Sequence, residues 1–131
     1  MSYDIELCDP TTKVILELDE PHHMKGGTYC LGGTREMSLN ITYNYSKHYG
    51  RVFEPKESKH SYARDGVLDG VRSIYGLTGA ESIPVLQKAI DQLGDDVSDD
   101  YWQPTEGNAK RALCQLLALA KMRPDGVWDG D

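Results

Sequence analysis

Residues 36 to 45, EMSLNITYNY, place Met37, Leu39, Ile41, Tyr43 and Tyr45 in strict alternation with Glu36, Ser38, Asn40, Thr42 and Asn44. Only an extended chain puts every second side chain on one face, so this run predicts a β-strand with one covered side. The same period marks the start of the chain, where Tyr3, Ile5 and Leu7 alternate with Asp4, Glu6 and Cys8. Asp9 and Pro10 suit the first two positions of a tight turn, and Val14, Leu16 and Leu18 follow on one face, so residues 3–18 read as a β-hairpin. TYCL at 28–31, bracketed by Gly26-Gly27 and Gly32-Gly33, adds a short strand.

From residue 65 the hydrophobic period changes to that of a helix. In DGVLDGVRSIY the residues Val67, Leu68, Val71, Ile74 and Tyr75 fall at helical offsets, against roughly 1 kcal/mol each for Gly66 and Gly70. A second helix is announced by the T-x-x-E capping pair Thr78 and Glu81, the stripe Ile83, Leu86, Ile90 and Leu93, and the stop at Gly94. Pro84 sits deep for a helix opening at 79, which places the regular start near Ser82. The third helix has Thr105 as its cap and Ala109, Leu113, Leu116, Leu117 and Ala120 on one side. Lys121 and Arg123 suit its negative end before Pro124.

The expected fold is therefore α+β: an N-terminal antiparallel sheet of three or four strands covered by two or three C-terminal helices. One domain spans 1–131, with a β-rich part at 1–46, a polar, mobile loop at 50–64, a helical part at 65–123 and a turn-rich tail at 124–131 anchored by Trp128. The longest apolar run, LLALA at 116–120, is far too short to span a bilayer, and the acidic start MSYDIELCD lacks the build of a signal peptide. A cytoplasmic protein without a membrane partner is expected. Cys8, Cys30 and Cys114 are odd in number and widely spaced, suggesting small apolar side chains and no disulfide framework or zinc knuckle.

Twenty-one acids against 14 bases, a net charge of −7, argue against general affinity for a nucleic-acid backbone. An acidic chain can nevertheless occupy a DNA-binding groove as a mimic. Four patterns could carry chemistry. In HHMKGGTYCLGGT, 22–34, backbone amides of Gly-rich turns could hold phosphate, with His22, His23, Lys25, Gly26, Gly27 and Thr28 as contacts. The stretch opens no helix and lacks G-K-[ST], so it is neither a dinucleotide fingerprint nor a P-loop, and plain turns explain it as well. At the end of the predicted strand, Tyr43, Tyr45, Lys47, His48 and Arg51 combine aromatic faces with cations, a mixture suited to a nucleotide; the alternative is that the tyrosines belong to the core. Asp95, Asp96, Asp99 and Asp100 with Trp102 form either a solvated loop or a patch for a basic partner. The histidines have no metal-ligand spacing, so no metal and no cofactor is expected. No G-x-S-x-G or comparable frame marks a nucleophile.

Together LDEPHHMKGGTYCLGGT, LNITYNYSKHY, IYGLTGAESIPVL and DDVSDDYWQPTEGNAKRALCQLLALAKMRPDGVW resemble a family of small proteins encoded in phages and prophages of Gram-positive gut bacteria. The resemblance covers most of the chain outside 50–70 and implies a phage accessory role in the bacterial host cell. In that context the first expectation is a non-enzymatic, anti-defence binding protein that sequesters a nucleotide-like signal, with room for a pocket between protomers of a homo-oligomer. The second is an acidic protein that inhibits a host nuclease or DNA-binding protein by direct contact. The third is a small hydrolase or nuclease with His22, His23 or His48 as general base.

Overall fold

The computed structural model describes residues 1–23 and 33–131. The fold is α+β, with strands concentrated toward the N-terminus and the two long helices toward the C-terminus. Strand β1 (Ser2–Cys8) lies at the centre of a three-stranded antiparallel sheet. Strands β2 (Glu17–His22) and β3 (Thr34–Glu36) pair with each other in a separate ribbon, interrupted by a register shift between Glu17 and His22. Strand β4 (Ser38–Thr42) flanks β1, with Ile5 opposite Leu39 and Tyr3 opposite Ile41. Their inward row, Tyr3, Ile5, Leu7, Leu39 and Ile41, joins one core with Leu86 of α2 (Gly79–Asp91) and Leu113 and Leu116 of α3 (Glu106–Met122). The outward row, Asp4, Glu6, Ser38 and Asn40, is polar, as the period-two pattern predicts.

The run 36–45 is extended only as far as Thr42. Its Oγ1 accepts the Asn44 N–H at 3.2 Å, capping a single 3-10 turn (Tyr43–Tyr45) that leads into helix α1 (Ser46–Val52). Tyr45 is buried all the same, because one 3-10 turn brings it back toward the core. The expected hairpin at 3–18 reduces to a turn: Asp9 Oδ1 accepts the amides of Thr11 and Thr12, both at 2.8 Å, and one bridge joins Cys8 to Ile15. Beyond it β2 leaves β1 for β3, and Val14 is exposed.

Residues 50–64 form no single polar loop. They complete α1, enter β5 (Lys56–Glu57), and bring His60 against Asp129 at 2.6 Å. The expected helix at 65–75 is also replaced. Asp65, Gly66 and Gly70 take positive φ of 52°, 79° and 57°, which interrupts any helix. Strand β6 (Val67–Leu68) pairs with β5, and a 3-10 segment, Gly70–Ile74, buries Val71 and Ile74.

Helix α2 starts at Gly79, earlier than Pro84 suggested. Thr78 Oγ1 accepts the Glu81 amide at 3.0 Å, and Glu81 returns a carboxylate to the Thr78 amide at 2.9 Å. That reciprocal cap fixes the first turn, and the donor that Pro84 lacks would have met Ala80, an exposed residue whose carbonyl can meet water. Helix α3 begins as predicted, with Thr105 Oγ1 accepting the Asn108 amide at 3.1 Å.

The tail supplies the largest topological difference. Val127–Gly130 forms β7, the third strand of the sheet, with Trp128 opposite Leu7 on the other edge of β1. Trp128 is 1% exposed, and its Nε1–H donates to Ser82 Oγ at 2.8 Å. Ser82 in turn donates to the Gly79 carbonyl at 2.8 Å, so one chain of bonds ties β7 to the first turn of α2. Among the described residues no helix is long and apolar enough to cross a membrane.

Candidate functional site

The sequence-predicted residues separate into three places. His22 ends β2 and His23 follows it, both at a cleft of about 290 Å³ that the polar face of the sheet also lines. Lys25, Gly26, Gly27 and Thr28, the short strand TYCL and Cys30 lie outside the described residues. The other polar side chains of this cleft include Asp4, Glu6 and Glu36, with Ser38 and Asn40. His22 Nε2–H donates to the Glu36 carbonyl at 2.7 Å. Burial, reinforced by Asp129, Glu36, Asp131 and Asp4, holds the Glu6 carboxyl above its usual range. Three carboxylates among the described residues, those of Asp4, Glu6 and Glu36, line this cleft beside His22 and His23. Among the described residues no group of three or more His, Cys, Asp or Glu side chains forms a metal ligand set.

None of Tyr43, Tyr45, Lys47, His48 or Arg51 lines that cleft. They sit on the 3-10 turn and α1, against Arg72, the 101–104 segment and the start of α3. The Tyr45 hydroxyl donates to the Tyr101 carbonyl, and burial pushes its phenol up to about 12. His48 Nε2–H donates to the Pro104 carbonyl at 2.7 Å. Arg51 Nη2 meets Glu106 Oε1 at 3.0 Å, and that bond, with the Gly94 amide, holds the Glu106 carboxyl below its usual range. Tyr43 accepts from Arg72 Nη2 at 2.7 Å, and the guanidinium also lies 5.5 Å from its ring centroid. Lys47 is exposed. Apart from Lys47, the aromatic and cationic groups that resemble a nucleotide platform fasten the 3-10 turn and α1 to their neighbours, the usual fate of a buried tyrosine whose hydroxyl needs a partner.

The third place is the connection between α2 and α3. Asp95, Asp96, Asp99 and Asp100 are all exposed, and Trp102 stands 49% exposed beside Tyr101, ring centroids 4.5 Å apart. The segment has a rigid mounting. Asn108, only 1% exposed in the first turn of α3, accepts the Ser98 amide at 3.0 Å through Oδ1. Its Nδ2 donates to the carbonyls of Asp100 and Gln103, each at 3.1 Å. Gly107 lets the 95–96 backbone lie directly on the helix, since a Cβ there would stand 2.7 Å from the Asp96 carbonyl carbon. Asp100 Oδ1 accepts the Trp102 amide at 3.1 Å, and Asn44 Nδ2 holds the Trp102 carbonyl at 2.8 Å. Lys110 neutralises Asp95 at 2.7 Å. Three aspartates and an indole are left displayed on a braced backbone.

Asn108 is the residue that reading the sequence missed. An asparagine three residues after a threonine cap, on a face otherwise made of Ala and Leu, is the one available signal, since an apolar helix face tolerates a polar group only where it is bonded. Comparison with protein families, with curated proteins and with solved structures returned no match.

Proposed function

We propose that this chain is a non-enzymatic binding protein that offers its acidic 95–102 segment to a basic surface of a nucleic-acid-handling protein. The observation that carries the reading is the mounting of that segment by Asn108 and Gly107. A braced loop loses little conformational freedom on association, and an exposed tryptophan in the same segment as four exposed aspartates combines an apolar anchor with long-range attraction for Lys and Arg. The net charge of −7 acts in the same direction. In the phage setting that the resemblance implies, the partner is a host nuclease or DNA-binding protein of defence, met in the host cytoplasm. Sequestration of a nucleotide-like signal has less support, because Tyr43, Tyr45, His48 and Arg51 are engaged within the protein, leaving Lys47 exposed, and His22 and His23 share their cleft with three carboxylates.

The test is a variant with Asp95, Asp96, Asp99 and Asp100 each changed to Asn, compared with the parent against purified nucleases and DNA-binding proteins at low and high salt. Binding that weakens with salt and disappears in the variant is expected. A partner held equally by parent and variant, or binding indifferent to salt, would overturn the reading.

A further inference from the structure

After α1 the chain turns at Phe53 and enters β5, and between this segment and the first half of α2 lies a cleft of about 430 Å³. Val52, Phe53, Leu77, Pro84 and Val85 make it largely apolar. Its polar side chains are few. Lys56 Nζ donates to the Tyr75 carbonyl; an ammonium carries three N–H groups, and no second hydrogen bond from this one exists among the described residues. Ser73 also lines the cleft; it is 5% exposed, and its Oγ has no hydrogen-bond partner among the described residues. At the mouth Lys88 approaches Glu54 at 3.4 Å, but both side chains are largely solvated, so the pair is weak and the lysine can turn inward.

We propose that this cleft binds a small amphipathic anion, an apolar tail ending in a carboxylate, whose head is received by Lys56 and the Ser73 hydroxyl. The volume is that of a small-molecule site, and its pattern of apolar walls with a few convergent polar groups is the one such sites share. The sign follows from the charges: two ammonium groups line the cleft against the single carboxylate of Glu54. Burial already holds the Lys56 ammonium below the usual lysine range, against a weaker opposing pull from Glu81. A carboxylate head supplies Lys56 with a counter-charge in direct contact, which Glu81 does not, since no salt bridge joins the two among the described residues, while the unbonded serine hydroxyl gives the head a second donor. Phe53 and Val85 receive the tail.

The experiment titrates the full chain with octanoate, using octanol and octylamine as head-group controls, and follows backbone amides by NMR. Saturable shifts confined to residues 52–56, 73–77 and 84–88 are expected with octanoate, about tenfold weaker binding with octanol, and none with octylamine. Lys56→Met should weaken octanoate about tenfold or more, and Ser73→Ala by a few fold. Equal affinity for octanoate and octanol, shifts centred elsewhere, or no saturation up to the solubility limit would overturn the proposal. So would a folded Lys56→Met protein that binds octanoate as the parent does. The head-group series is read on the unaltered protein, so the outcome does not depend on any variant folding.

Discussion

Replacing Asn108 by Ala removes three hydrogen bonds at once, those to the Ser98 amide and to the Asp100 and Gln103 carbonyls. Each is worth about 1 kcal/mol net while made, and a buried group left without a partner costs roughly 1–3 kcal/mol. Because the loop side faces solvent, water can reach part of what is exposed, and about 3 kcal/mol in total is the expected loss. For a chain of 131 residues the entropy of unfolding is about 0.3 kcal/mol/K, so the melting temperature should fall by about 10 °C. The loss should also be local: the Ser98 amide, bonded in the parent, should lose its protection in hydrogen exchange while the core of α3 keeps its own. Asn108→Asp is the sharper companion. At neutral pH its carboxylate still accepts from Ser98 but turns oxygen toward two carbonyls, so the loss should be at least as large as for Ala. Buried against those carbonyls, the introduced carboxyl has a raised pKa, and its deficit should shrink as acidification protonates it. A fall below about 3 °C for Asn108→Ala, with residues 98–103 still protected, would refute the bracing role and with it the basis of the proposed docking surface.

Ser82→Ala should cost about 2 kcal/mol in denaturant unfolding, because it leaves the Trp128 indole N–H buried without an acceptor; an unchanged midpoint would show that water reaches the indole. Glu6→Gln should raise the melting temperature at neutral pH. The folded pKa of Glu6 lies above its unfolded value, so its contribution to stability is full below the unfolded pKa and is lost as pH rises through the folded one. The advantage of the glutamine should therefore vanish once the pH drops below the ordinary carboxylate range, and a gain that persisted there would point to packing instead. Maleimide labelling with peptide mapping should modify exposed Cys114 in the native protein and leave Cys8 untouched until unfolding, since Cys8 is buried and its thiol is pushed up to about 11. Equal labelling rates at the two would contradict the packing of β1.

The side chains singled out at 43–51 make hydrogen bonds that no local pattern in the sequence announces. Tyr45, His48 and Arg51 are polar and aromatic in any conformation, but only the docking of α1 against the start of α3 decides that their hydrogen bonds go to Tyr101, Pro104 and Glu106. Asp95 to Asp100 could be named from composition, whereas their bracing depends on Gly107 and on Asn108, whose place on an apolar helix face says that it is bonded but not to what. Lys56 stood in what looked like a polar loop, and nothing within ten residues of it signals that Ser73, Leu77 and α2 close a cleft around it.

What the sequence determined by itself is local in origin. The alternation in 3–8 and 37–41 specifies which face of each strand is covered, and Thr105 marks where α3 begins, because periodicity and capping act over two to four residues; at α2 Pro84 pointed to a start near Ser82, and the Thr78–Glu81 cap sets it at Gly79. Tertiary structure alone decided the third strand. Val127–Gly130 is too short to show a period, and it becomes β7 because β1 offers an unpaired edge at Ile5–Cys8 and α2 offers Ser82 to a buried indole. Backbone donors and acceptors at a sheet edge need partners wherever in the chain those lie, and here they are found more than a hundred residues away, beyond the reach of any local pattern.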